Sequence, residues 1–68
     1  MKENFEKKTV ASIDLESLDG FCQWREIYTD GMTGNWERTS VGTDDSNGIA
    51  RLRNEFKRKY GEDIAINK

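Results

Sequence analysis

Whatever chemistry this 68-residue chain performs falls to its carboxylates, cations and aromatic rings, because the usual catalytic residues are missing. There is no histidine, which removes the common proton shuttle near neutral pH and the commonest metal ligand. Cys22 is the only cysteine, so one chain can build neither a disulfide framework nor a Cys-based zinc or iron–sulfur site. With no His or Lys beside it, Cys22 reads as a small buried hydrophobe rather than a reactive thiol. Phosphate-binding glycine loops, the GxSxG elbow, HExxH and the EF-hand loop are all absent. The adjacent acids Asp44/Asp45 and Glu62/Asp63 sit where caps and turns place carboxylates anyway. An enzyme here would need a carboxylate dyad, a tuned lysine or an oxygen-held metal, in a domain too small to enclose a dry pocket easily. The expectation is a non-enzymatic protein with no cofactor and no metal site.

Charge is the informative feature, because it is segregated. The 11 basic and 13 acidic residues net only −2. Arg51, Arg53, Lys57, Arg58 and Lys59 nevertheless fall between 49 and 60, with Glu55 as the one acid among them. Such a run contacts phosphates in a nucleic-acid-binding module, or it is the solvated face of a surface helix. The acids Asp14, Glu16, Asp19, Glu26, Asp30, Glu37, Asp44 and Asp45 all precede it. A one-sign surface of this kind would steer the chain into the basic groove of a partner that handles DNA or RNA. Asp19, Asp30, Asp44 and Asp45 also suit turns, whereas Asp14, Glu26 and Glu37 fall in strand-like stretches. Trp24, Tyr28 and Trp36 could stack bases or anchor a protein partner. Alternatively Trp24 is core and Trp36 partly exposed.

These residues must be positioned by a small number of elements. Residues 9–15 alternate, with Ala11, Ile13 and Leu15 on one side, the period of a half-buried strand. Asp19-Gly20 is a hairpin signal, since glycine accepts the positive φ of a tight turn. Phe21 to Thr29 is a second strand with apolar groups on both faces: Cys22, Trp24, Glu26 and Tyr28 on one, Phe21, Gln23, Arg25, Ile27 and Thr29 on the other. A two-glycine turn around Gly31 and Gly34 leads to a third strand, Trp36 to Val41. Thr43 to Ser46 offers capping side chains for a helix start, with Gly48 weakening the first turn. Ile49, Leu52, Phe56 and Tyr60 then form the apolar stripe of an amphipathic helix that Gly61 ends. Ile64 to Ile66 is either a short fourth strand or an apolar strap.

The expected fold is therefore one α+β domain over 1–68: a three-stranded antiparallel sheet (β-β-β-α) with one C-terminal helix packed on one face. Residues 1–8 read as a flexible lead-in. The absence of any long apolar run argues against a membrane span, and the lone thiol without a leader fits the cytoplasm.

The segment from the Trp36 strand through Gly42-Thr43 and the helix to Tyr60-Gly61-Glu62-Asp63-Ile64-Ala65-Ile66-Asn67 resembles the integrase-type DNA-binding modules. The resemblance implies a three-stranded sheet on a C-terminal helix, with DNA read by Arg-rich strands. Here the strands offer only Arg25 and Arg38, among Asp14, Glu26 and Glu37. Two functions follow as expectations. The first is an acidic-surfaced inhibitor or regulator that docks on a larger, nucleic-acid-processing enzyme through Asp14, Glu26, Tyr28, Asp30, Trp36 and Glu37. The second is a DNA- or RNA-binding module working through Arg51, Arg53, Lys57, Arg58 and Lys59. A subunit that dimerises through an unpaired strand edge is a third, so monomer and homodimer both stay open.

Overall fold

The computed structural model describes residues 9–67; the lead-in expected at 1–8 lies outside the described residues. Among the described residues four strands and one helix follow in chain order: β1 (Val10–Leu18), β2 (Phe21–Tyr28), β3 (Glu37–Gly42), α1 (Ser46–Tyr60) and β4 (Ala65–Asn67). The strands form one mixed sheet in the order β3-β2-β1-β4. The expected antiparallel meander is present, and the C-terminal tail is a strand that pairs parallel to β1. It can run parallel because α1 carries the chain back along the sheet before β4 begins.

Alternation built these strands, and the turns set their length. Asp19 (φ 55°) and Gly20 (φ 86°) both take positive φ, so the hairpin closes in two residues and pairing persists to Leu18↔Phe21. β1 thus runs three residues past the alternating stretch. At its other end a bulge between Val10 and Ser12 changes the face pattern. Val10 packs against the core and Ala11 is exposed, which corrects the assignment of Ala11 to the buried side.

Register sorts the side chains. Ile13↔Glu26, Leu15↔Trp24 and Ser17↔Cys22 share one face of the sheet, joined from β3 by Glu37 opposite Trp24. Asp14↔Arg25, Glu16↔Gln23 and Leu18↔Phe21 share the other. The helix lies on the first face. Ile13, Leu15, Cys22 and Phe56 are its buried centre, ringed by Trp24, Val41, Ile49, Leu52, Tyr60, Ile64 and Ile66. Phe56 meets Trp24 with ring centroids 5.0 Å apart and planes inclined at 58°. A tilted aromatic pair of this kind contributes about 1 kcal/mol beyond the area it buries. The stripe of Ile49, Leu52, Phe56 and Tyr60 is therefore the packed face, and Cys22 is buried as expected.

The helix start is tighter than the sequence suggested. Asp45 is the N-cap, its Oδ1 accepting the Gly48 N–H at 2.9 Å. Gly48 is buried, and a Cβ there would stand 2.5 Å from Asp45 Oδ2 and 3.0 Å from Val41 Cγ1. Its lack of a side chain lets the cap close and the first turn approach β3. At the far end the Gly61 N–H bonds the Lys57 carbonyl, and Gly61 leaves the helix with φ 115°.

Candidate functional site

Three of the six acidic and aromatic residues singled out from the sequence converge. Glu26 and Tyr28, at the end of β2, and Glu37, at the start of β3, line a half-open cleft of about 460 Å3 on the helix side of the sheet. Trp24 of β2, Gly34 and Asn35 of the β2–β3 loop and Lys59 of α1 complete its lining. The sheet separates this group from two of the others. Asp14 and Trp36 belong to the helix-free face, where Arg25 Nε donates to Asp14 Oδ2 at 3.1 Å and the Arg25 guanidinium lies 4.4 Å from the centre of the Trp36 ring. Asp30 is exposed in the turn after β2, its carboxylate accepting the Met32 N–H at 2.9 Å. The six residues therefore occupy two faces and a turn.

Within the cleft, Glu26 is the centre. Its Oε1 accepts the Tyr28 hydroxyl at 2.7 Å and its Oε2 the Tyr60 hydroxyl at 2.5 Å. These bonds, Tyr60's first and Tyr28's second, hold its carboxyl below the ordinary value of 4.5; partial burial opposes them and Lys59 adds to them. Burial, then the hydrogen bond to Glu26, pushes the Tyr60 phenol far above its ordinary value of 10.0. The Tyr28 phenol is also raised, chiefly by its bond to Glu26. At neutral pH the group is one carboxylate locked between two protonated phenols. That arrangement supplies a fixed negative charge and an aromatic wall; neither tyrosine is activated as a nucleophile.

Lys59 extends over the same wall, its Nζ 5.9 Å from the Trp24 ring centre and 5.2 Å from that of Tyr60. It thus lines the acidic cleft while remaining exposed on α1. Arg51, Arg53, Lys57 and Arg58 remain exposed along α1, and none of them forms an ion pair among the described residues. Among the described residues no three His, Cys, Asp or Glu side chains gather as a metal site would require. No helix among them is long and apolar enough to cross a membrane.

The helix-free face carries further chemistry. Leu18 and Phe21, cross-strand neighbours beside the hairpin turn, are 42% and 45% exposed. Gln23 is buried on this face without any helix above it, donating to Glu16 Oε2 at 2.9 Å. Arg25 entered the sequence reading only as one of two strand arginines, and Tyr60 only as the last residue of an apolar stripe. A signal existed for Tyr60: Glu26 shares its strand face with Cys22 and Trp24, so an acid on the covered side needed donors from the helix. No family model, curated protein or solved structure matches the chain.

Proposed function

We propose that the chain is a non-enzymatic protein-binding module that docks on a larger partner, and that the Glu26–Glu37 cleft is its principal contact. The observation that carries this reading is the convergence of Glu26, Tyr28 and Glu37 with Trp24 on one half-open cleft. Aromatic rings beside fixed charge are the composition of an interface hot spot. The carboxylates favour a partner with a basic surface, and the groove of a nucleic-acid-processing enzyme has that character. Asp14 contributes less than its sequence position suggested, because Arg25 already neutralises it.

Affinity capture from nuclease-treated lysate tests the reading. A protein partner held by the native chain should be lost on Glu37→Lys, with Asp30→Lys weakening it further. Glu26→Lys would also lose the partner, but it breaks two tyrosine hydrogen bonds, so its thermal stability must be measured beside it. An unchanged catch from Glu37→Lys would defeat the cleft as the contact.

A second reading, DNA or RNA binding through α1, is favoured by the five exposed cations, Arg51, Arg53, Lys57, Arg58 and Lys59, which form no ion pairs among the described residues. It predicts affinity that falls linearly with log salt, and a slope about one unit shallower for each of Lys57→Ala and Arg58→Ala. Absence of binding at low salt would remove it.

A further inference from the structure

We infer that the cleft is a receptor for an arginine side chain supplied by the docking partner, a specification that rests on the protein-docking reading above. The chain itself shows the chemistry on the opposite face of the sheet. There one guanidinium, that of Arg25, is stacked on Trp36 and hydrogen-bonded to Asp14. The same two complements line the cleft, the aromatic residues Trp24 and Tyr28 and the carboxylates of Glu26 and Glu37. Each Glu26 oxygen accepts one phenol and retains a second lone pair. Glu37 is exposed and forms no ion pair among the described residues. A planar guanidinium suits a site that pairs aromatic rings with carboxylates, whereas a lysine ammonium offers a point charge and no stacking plane. The cleft's own cation is of the second kind. Lys59 stands more than 5 Å from both ring centres at the end of a flexible stem, and its charge competes with an incoming cation.

That competition gives the experiment its sign. The 15N-labelled protein is titrated with a blocked Gly-Arg-Gly peptide, and with the same peptide carrying neutral citrulline in place of arginine. The Trp24 indole N–H should shift saturably in the millimolar range with the arginine peptide while the Trp36 indole stays fixed. The citrulline peptide should leave both unmoved. Glu37→Gln should weaken arginine binding about five-fold, the scale of a partly exposed ion pair. Lys59→Gln should strengthen it several-fold; a phosphate-binding role for Lys59 gives no such gain. No saturable shift, equal shifts from both peptides, or weaker arginine binding in Lys59→Gln would overturn the assignment. If the titration fails while partner capture still depends on Glu37, the arginine assignment falls and the docking reading stands. Capture insensitive to Glu37 removes the docking reading whatever the peptide does.

Discussion

Tyr60, the last residue of the helix, donates its hydroxyl to Glu26 on the inner strand β2, 34 positions earlier in the sequence. This bond ties the C-terminal end of α1 to the sheet at a residue that lines the cleft. It also fixes the Glu26 carboxylate from one side while Tyr28 fixes it from the other. The charge at the cleft's centre is therefore positioned by the fold, and folding stability and cleft geometry share one set of atoms.

Removing that hydroxyl isolates its contribution. Tyr60→Phe keeps the ring on the core and deletes only the bond to an ionised acceptor, which costs about 1–2 kcal/mol when partly exposed. In a domain this small the melting temperature should fall by roughly 5–15 °C. Thermal unfolding followed by circular dichroism measures it, and a shift below a degree would mean the bond adds nothing.

Stability should be a plateau across pH with a shoulder at each end. The Glu26 pKa lies below 4.5 in the folded chain, so its contribution is complete above that value and is lost as the pH falls through the folded pKa. The Tyr60 pKa lies above 10.0, so its contribution is complete below 10 and is lost as the pH rises toward the folded value. Glu26→Gln should flatten the acid shoulder. Chemical denaturation at a series of pH values tests both limbs, and an acid limb equally steep in Glu26→Gln would assign it to other carboxylates.

Gly48 reverses the usual rule for helices. Glycine to alanine inside a helix ordinarily stabilises by roughly 0.5–1 kcal/mol. Here the added methyl meets Asp45 Oδ2 and Val41 Cγ1, displacing the N-cap or the helix itself. Gly48→Ala should therefore destabilise, by about 1 kcal/mol or more, the scale of a lost cap. A rise in denaturation midpoint would show that the first turn accommodates a side chain.

Phe56 is the helix residue most deeply set in the core, and the core has few members to spare. Phe56→Ala should cost about 3–5 kcal/mol, most of what a domain of this size possesses. The expected result is loss of the cooperative unfolding transition. A mutant that still melts sharply would show that Trp24 and the aliphatic ring around Phe56 suffice.

The sequence made the elements readable because local physics decided them. Alternation marked the strands, Asp19-Gly20 marked the hairpin, and the 49-52-56-60 stripe marked the packed helix face. The bulge at Ala11 was not readable, since one extra residue in a ladder leaves no compositional trace. Nor was the direction of β4, which depends on where α1 returns the chain. The candidate site was legible in part. Glu26, Tyr28 and Glu37 stood out as acids and aromatics on strands, and the structure brings them together. Asp14 and Trp36 stood out for the same reason but face the other way, because strand parity alone could not say which side the helix covers. Lys59 was grouped with the helix cations by charge, yet its place on the last turn swings it over Trp24.

Site-specific photo-crosslinking tests the docking claim most directly. A benzophenone side chain is placed at Asn35 in the cleft lining, and separately at Arg58 on the exposed side of α1, in the full chain inside cells. The account predicts a discrete protein adduct from Asn35 that Glu37→Lys abolishes, and no such adduct from Arg58. Adducts to nucleic acid, or a protein adduct from Arg58 and none from Asn35, would contradict it.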